Sequence, residues 1–207
     1  MFRNLAADAL GLSDIGKIIE PKDFDKTEID EYVFNEDNEK IFVVIKSKTD
    51  EYCFTNTAFI HLDGKSAASK KRNLKRYPYR YYQISNVSVE TAGTIDLDAE
   101  IKFKIGDEEI SIDIDKKQME RIRDIYKALF KISEKYKEIH KYMGILQHTH
   151  EAINKMFVLR ELTEQVVLNL PDIINQTAHQ VELHYINRQN EIQNYDFGSI
   201  FERYIKS

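Results

Sequence analysis

The stretch that decides the fold is residues 97–114, which read LDAEIKFKIGDEEISIDI. Apolar side chains occupy every second position over 97–105 and again over 110–114, and the positions between them are charged or polar. This period of two is typical of an antiparallel sheet with one buried face and one solvated face. Gly106 and Asp107 separate the two alternating segments, so we predict a β-hairpin that turns there.

Further strands are predicted upstream of this hairpin. Runs rich in β-branched and aromatic residues, separated by turn residues, lie at 41–45, 52–54, 59–62, 77–84 and 87–89. The run that contains Pro78 is expected at a sheet edge, because proline cannot donate to a ladder. A small antiparallel sheet removes its edges by closing, so we predict a β-barrel of about seven strands.

At Asp115 the spacing between apolar residues changes from two positions to three or four. Asp115 is expected to cap a helix, with Gln118 completing a capping box. Met119, Ile122 and Tyr126 then follow on one face. Because this helix begins directly after the last strand, we expect it to plug one end of the barrel.

The rest of the chain is predicted as helix and loop. Pro171 should end one helix and open another, 187–194 is a polar connector, and 199–202 carry a second capping-box pattern. We therefore predict a mainly β domain with a capping α-helix over 1–132 and a helical, hairpin-like extension over 133–207.

Composition argues against several classes of protein. The chain has 207 residues, 42% hydrophobic and 31% charged, which is a globular balance. No apolar run approaches the roughly 20 residues that cross a bilayer, and the N-terminal sequence lacks a signal-peptide pattern. Cys53 is the one cysteine, so a reducing, cytoplasmic location is expected. The net charge of −5 argues against a nucleic-acid partner.

Three motifs resemble the bacterial pleckstrin homology (PH) domain family, which was first catalogued as a domain of unknown function. They are Phe54-Thr55-Asn56, Tyr77-Pro78-Tyr79-Arg80, and SVETAGT at 88–94 followed by DLDAE at 96–100. The resemblance covers about residues 1–132. It implies a PH-like barrel that assembles into ring-like oligomers and has no known ligand.

The tail resembles the helical oligomerisation extension that one subgroup of this family carries. The residues that suggest it are MFVLR at 156–160 and FERY at 201–204. Phosphoinositide binding is not implied, because eukaryotic relatives use basic residues in an early loop, and the matching region here, 36–39, is acidic.

The sharpest charge asymmetry lies between the acidic residues 1–64 and a basic segment over 65–80. Every charge in that segment is positive: Lys65, Lys70, Lys71, Arg72, Lys75, Arg76 and Arg80. These residues are candidates for binding an anionic lipid, another polyanion or an acidic partner. A solvated loop is an alternative, as is a loop paired with the acidic N-terminal region of the same or a neighbouring subunit. Membrane targeting is the second choice of function.

The protein is expected to form homo-oligomers. Alternating tyrosines lie on one face of the predicted edge strand, and the apolar stripes of the tail need cover. The candidate contacts are Tyr77, Tyr79, Tyr81, Phe157, Val166 and Ile174. Basic and aromatic residues together also occur in proteins that bind single-stranded nucleic acid, but a strand or subunit interface explains the tyrosines better.

No catalytic, metal or cofactor site is predicted. Asp96 and Asp98 suggest a carboxylate pair, but they lie on the polar face of the predicted hairpin. His150 begins a pattern like the zinc-protease signature, and Asn154 stands where the second histidine belongs. The sequence has no phosphate loop, nucleophile elbow or dinucleotide fingerprint. We therefore predict a non-enzymatic, self-assembling binding or scaffold module.

Overall fold

The structure is a computed structural model that describes residues 15–64, 72–91, 97–161, 170–193 and 195–205. Within these ranges, the residues up to Glu134 and those from Asp196 onward form one compact unit, here called the sheet unit. Residues Lys135–Tyr195 form a second, the helical unit. None of the helices in the described ranges contains an apolar stretch of the length that spans a bilayer.

Five antiparallel strands form the first sheet, in chain order. They are β1 (Lys17–Ile18), β2 (Ile41–Lys46), β3 (Glu51–Thr55), β4 (Ala58–Gly64) and β5 (Arg72–Pro78). Three short 3-10 helices connect β1 to β2, at Pro21–Lys26, Glu28–Tyr32 and Asn35–Asp37. Strands β2, β3 and β4 confirm the strands predicted over 41–45, 52–54 and 59–62. Most of the apolar side chains in these ranges are buried in the core.

The hairpin predicted from the period-two pattern is also confirmed. A second antiparallel sheet consists of β6 (Ile84–Glu90), β7 (Asp98–Ile105) and β8 (Glu108–Asp115). Ile101 in β7 lies opposite Ile112 in β8, and both are buried. Gly106 turns the hairpin with a φ of 58°, which glycine adopts without steric cost.

The two sheets meet at Gly16, just before β1. The amide of Gly16 donates to the carbonyl of Asp113 at 2.8 Å, and the amide of Asp115 donates to the carbonyl of Gly16 at 3.0 Å. Between β5 and β6 the described residues form no strand pair. The predicted mainly β fold is therefore present, with eight described strands where about seven were predicted, but among the described residues the two sheets do not close into the predicted β-barrel.

The single strand predicted over 77–84 is wrong. β5 ends at Pro78, and the amides of Tyr81 and Tyr82 both donate to the Pro78 carbonyl at 3.0 Å, which forms a tight turn. The chain re-enters a strand at Ile84. The alternating aromatic residues mimic a strand in sequence, but they divide between the end of β5 and the turn.

A long helix, α1 (Met119–Glu161), follows β8. Its first turns bury an apolar stripe that includes Ile122, Ile125 and Leu129, so the predicted capping helix is confirmed. Gly144 does not interrupt it.

The predicted cap of α1 is half right. Asp115 accepts a hydrogen bond from the amide of Lys117 at 2.9 Å and so caps a short 3-10 helix, Lys116–Gln118, that leads into α1. Gln118 does not complete a capping box. Its side chain instead accepts from the amide of Ile18 at 2.8 Å and donates to the carbonyl of Ile18 at 3.0 Å, which ties the start of the helical region to β1.

The helical unit contains the second half of α1 and a further helix, α2 (Leu170–Gln193). The rings of His150 and Tyr185 stack with their centroids 4.9 Å apart. The polar connector predicted over 187–194 is wrong up to Gln193, because that stretch continues α2. It lacks proline and glycine, and polar residues such as Arg188 and Glu191 pair along the helix at 2.7 Å.

The last helix, α3 (Gly198–Tyr204), packs in the sheet unit, although the predicted extension over 133–207 includes it. The ring of Phe201 stacks on Phe42 with the centroids 5.2 Å apart. Phe197 meets Tyr79 edge-on at 5.3 Å. The capping box predicted at 199–202 is wrong, because α3 begins after Phe197 without a side-chain cap.

Candidate functional site

The basic segment meets the acidic N-terminal region at Arg76. Its Nη2 lies 2.7 Å from both carboxylate oxygens of Glu39. Its guanidinium also lies over the ring of Phe34, 4.4 Å from the centroid. Glu39 is only 3% exposed, so this ion pair is largely withdrawn from water on the acidic side.

Three further hydrogen-bond donors besides Arg76 contact the carboxylate of Glu39. The hydroxyls of Thr55 and Thr57 donate to its Oε1 at 2.5 and 2.6 Å, and the amide of Phe34 donates to Oε2 at 2.9 Å. Burial by itself raises the pKa of Glu39, but these hydrogen bonds and that from Arg76 outweigh it and lower the pKa below the ordinary value. Glu39 is therefore a buried carboxylate that stays charged.

Two further cations of the basic segment form ion pairs at the surface. Nη2 of Arg72 lies 3.2 Å from Glu28, and Nζ of Lys75 lies 3.5 Å from Glu108. Arg72 and Arg76 thus both contact the acidic N-terminal region of their own chain.

Of the four remaining predicted basic residues, Arg80 alone is among the described ones. Arg80 lies over the ring of Tyr81 at 4.6 Å. Lys65, Lys70 and Lys71 lie outside the described residues, so their proposed role as an anion or partner site stays a prediction.

The three tyrosines predicted as subunit contacts differ in burial. Tyr77 is 7% exposed and Tyr79 is 1% exposed, whereas Tyr81 is 65% exposed. Tyr77 stacks on Phe59 and Tyr79 meets Phe197 edge-on, so both rings fill the protein's own core. Among these three, Tyr81 alone keeps an accessible ring.

The predicted contacts of the tail cannot be placed in the same way. Val166 lies outside the described residues, and so do the side chains of Phe157 and Ile174. Their role as subunit contacts stays a prediction.

The Phe54-Thr55-Asn56 motif has a structural role. Asn56 accepts a hydrogen bond from the amide of Lys40 at 2.8 Å and donates to Asp196 at 3.1 Å. Its carbonyl accepts from the amide of Phe197 at 3.1 Å. Asn56 therefore connects the β3–β4 turn to the segment that leads into α3.

A groove of about 820 Å³ runs between β6 and the start of α1. It is open on one side. Its walls are Val87, Ser88, Val89 and Thr91 on the strand side, and Lys116, Met119, Arg123 and Tyr126 on the helix side. No local sequence pattern marks this groove, because Met119 and Tyr126 of its helix wall lie on the same apolar face of α1 as the core residue Ile122.

Three carboxylates lie beside the far end of this groove, on the polar face of β6 and β7. Glu90, Asp98 and Glu100 share a small cleft with Thr91. Lys102 bonds Glu90 at 2.8 Å and Glu100 at 2.9 Å, as expected for a solvated, paired face. Asp96, the other half of the carboxylate pair considered above, lies outside the described residues.

Metal ligation and nucleophilic chemistry gain no support from the described part of the chain. Within it, no cluster of three histidine, cysteine or acidic side chains is arranged to hold a metal ion. Cys53 is fully buried, and burial raises the pKa of its thiol well above the ordinary value, so it is a core residue.

Comparison with known proteins decides the family. The model of the bacterial PH domain family matches residues 9–133. The chain belongs to the bacterial PH domain family. The match agrees with the stretch over which the three motifs resemble that family, and it includes both sheets and the first turns of α1.

Relatives of this bacterial PH domain protein are known by sequence. One, named as the uncharacterized protein YvbH of Bacillus subtilis (strain 168), is 49% identical over 219 residues and covers 100% of both chains. Another, the uncharacterized protein YjqA of the same organism, is 36% identical over 94 residues, which is 45% of this chain and 74% of that protein.

A solved structure supports the same assignment. A PH-domain-containing bacterial protein from Exiguobacterium sibiricum 255-15 is 45% identical and superposes with a TM-score of 0.79, covering 93% of this chain and 100% of its own. The bacterial PH fold is therefore shown for this protein.

Proposed function

We propose that this protein is a non-enzymatic binding scaffold that self-associates through its helical unit. The observation that carries the proposal is apolar exposure on both helices of that unit. Tyr142 and Ile145 on α1 are 55% and 53% exposed, and Leu183 and Ile186 on α2 are 40% and 44% exposed. Large apolar side chains exposed in pairs one turn apart favour a protein partner, and a second copy of the same chain is the simplest one.

The absence of catalysis is part of this proposal. It is supported by the buried, inert environment of Cys53 and by the pairing of Glu90 and Glu100 with Lys102. Turnover in a broad substrate panel that disappears in Asp98→Ala or Glu90→Ala would contradict it.

Membrane targeting through the basic segment has weaker support. Arg72 and Arg76 already bind Glu28 and Glu39 within the chain, so engaging a lipid surface would compete with these pairs. Co-sedimentation with anionic vesicles that is lost in Lys70→Ser/Lys71→Ser would favour this alternative.

Self-association is tested by removing the helical unit alone. The two ends of the helical unit lie close together, since Nζ of Lys135 is 5.1 Å from the ring of Tyr195. A Gly/Ser linker of about six residues can therefore replace 136–194, because such linkers span about 5–6 Å times the square root of their length. This excision variant keeps α3, whereas truncation after Ile132 removes it. We expect the excision variant to retain β-rich circular dichroism and to give a smaller species in light scattering coupled to gel filtration.

Point variants locate the contact. Ile145→Ser/Leu183→Ser should reduce the mass of the assembly, and the matched variant Lys141→Ser/Glu182→Ser, in exposed polar residues of the same helices, should not. A wild-type protein that is monomeric at tens of micromolar would overturn the proposal.

A further inference from the structure

The groove between β6 and α1 has the dimensions of a site for an extended peptide. On the strand side, Val87 to Thr91 span about 13 Å, at about 3.3 Å per residue. On the helix side, Met119 to Tyr126 span about 10 Å, at about 1.5 Å per residue. The volume of about 820 Å³ lies within the usual range for ligand sites, about 300–1,000 Å³. Four or five residues in extended conformation match these walls.

The strand wall of the groove is a sheet edge. β6 pairs with β7 on one side, and among the described residues no strand pairs with its other side. The register shifts between Ser85 and Ser88, and Asn86 has a φ of 53°, so a bulge ends the regular pairing there. Beyond the bulge, the strand presents the unpaired backbone groups that an edge offers to a further strand.

The side chains of the groove combine apolar surface with two cations, Lys116 and Arg123. Val87, Val89, Met119 and Tyr126 provide apolar surface. Arg123 is exposed, and none of the described acidic side chains lies within ion-pair distance of it. At the opposite end, Thr91 borders the cleft of Glu90, Asp98 and Glu100. The charge of Arg123 therefore favours an acidic group of the ligand beside it.

We propose that this groove binds an extended segment of a partner protein, which adds to β6 as a further strand and places an acidic side chain beside Arg123. Backbone hydrogen bonds to the strand edge supply affinity, and the apolar and charged positions of the helix wall supply specificity. The site uses residues of the sheet unit only. It goes beyond the proposed self-association, which uses the helical unit.

The experiment begins with a phage library of random ten-residue peptides selected on the full-length protein. We expect enriched peptides to alternate apolar residues and to share one acidic position. The affinity of a selected synthetic peptide is then measured by fluorescence anisotropy. Arg123→Glu should weaken binding about tenfold or more, which is about 1.4 kcal/mol. The matched charge reversal Arg203→Glu, at an exposed residue of α3, should leave it within about twofold.

Modified peptides test the strand geometry without altering the protein. N-methylation of alternate amides should abolish binding in one register and spare it in the other, because only every second amide of an added strand faces β6. Equal effects in both registers, no enriched peptide, or full binding by Arg123→Glu would each overturn the proposal. Hydrogen exchange provides a further test. If the amides of 88–91 are protected in the free assembly and lose that protection on dilution, a second copy of the chain fills the groove, and the proposal is overturned.

The excision variant that lacks 136–194 separates this proposal from the previous one. Peptide binding should persist in it even where self-association is lost. Loss of binding in a folded excision variant would overturn the groove assignment and leave self-association standing.

Discussion

Arg76 and Glu39 lie 37 positions apart in the chain and form an ion pair in which one guanidinium nitrogen bonds both carboxylate oxygens. Arg76 stands in β5, and Glu39 just precedes β2. These strands are separated by β3 and β4 in the sheet, so the pair fixes the segment before β2 against the edge strand.

Removing the cation of this pair should destabilise the fold. Arg76→Ala leaves the Glu39 carboxylate buried without its charge partner, and we expect the free energy of unfolding to fall by about 3 kcal/mol. Arg72→Ala removes the pair with Glu28, whose side chains are 34% and 39% exposed, and should cost less than about 1 kcal/mol. Urea denaturation at neutral pH measures both. Equal losses would show that burial does not distinguish the two pairs.

The same carboxylate predicts an acid dependence of stability. The pKa of Glu39 is lower in the folded protein than its ordinary value of 4.5. The stability that Glu39 contributes is therefore complete above that value and is lost as the pH falls through the folded pKa. Glu39→Gln should be less stable than the wild type at neutral pH, and the difference should shrink in acid. Unfolding curves at several pH values between neutral and about 3 test this, and a difference that grows in acid would contradict it.

The docking of α3 should contribute strongly to the stability of the sheet unit. Phe201 is fully buried and stacks on Phe42, so Phe201→Ala should lower the free energy of unfolding by about 3–5 kcal/mol. Glu202→Ala, at the exposed neighbouring position, should change it by less than about 0.5 kcal/mol. A Phe201→Ala protein that unfolds at the wild-type urea concentration would show that α3 is dispensable.

One acidic residue of the second sheet should be replaceable with a gain in stability. Burial, followed by the charges of Glu100 and Asp98, raises the pKa of Asp113 in the folded protein. A raised carboxylate pKa means that the charged form of Asp113 is less favourable in the folded state than in the unfolded state. Asp113 therefore lowers the free energy of unfolding at pH values above its folded pKa, and this effect is absent at pH values below its ordinary pKa. Asp113→Asn should therefore gain only a few tenths of a kcal/mol at neutral pH, because the side chain is only partly buried and solvent screens its charge.

Thermal unfolding tests this gain against a matched control. Asp25→Asn, at an exposed residue of the first 3-10 helix, should leave the melting temperature unchanged. The gain from Asp113→Asn should disappear at low pH, where Asp113 is protonated in both states. A lower melting temperature for Asp113→Asn at neutral pH would contradict the destabilisation assigned to the Asp113 carboxylate.

The candidate site was only partly predictable. The charge layout identified the basic segment, and Arg72 and Arg76 do contact acidic residues of the N-terminal region. The burial of Glu39 was not predictable, because it stands in an acidic run that reads as surface. The groove was not predictable either, since its two walls come from β6 and α1 and no local pattern distinguishes an apolar groove from core.

The sequence by itself determined the hairpin over 97–114, the N-cap at Asp115 and the family, because strand alternation, helix capping and family motifs are encoded in residues close together in the chain. Only the tertiary structure decided that Tyr79 is buried and that α3 returns to the sheets. Asn56 and Asp196 bond across 140 positions, and such contacts depend on which surfaces the folded chain brings together. A tyrosine or phenylalanine satisfies the same local pattern whether its ring fills the core or faces solvent, so burial had to be settled by packing.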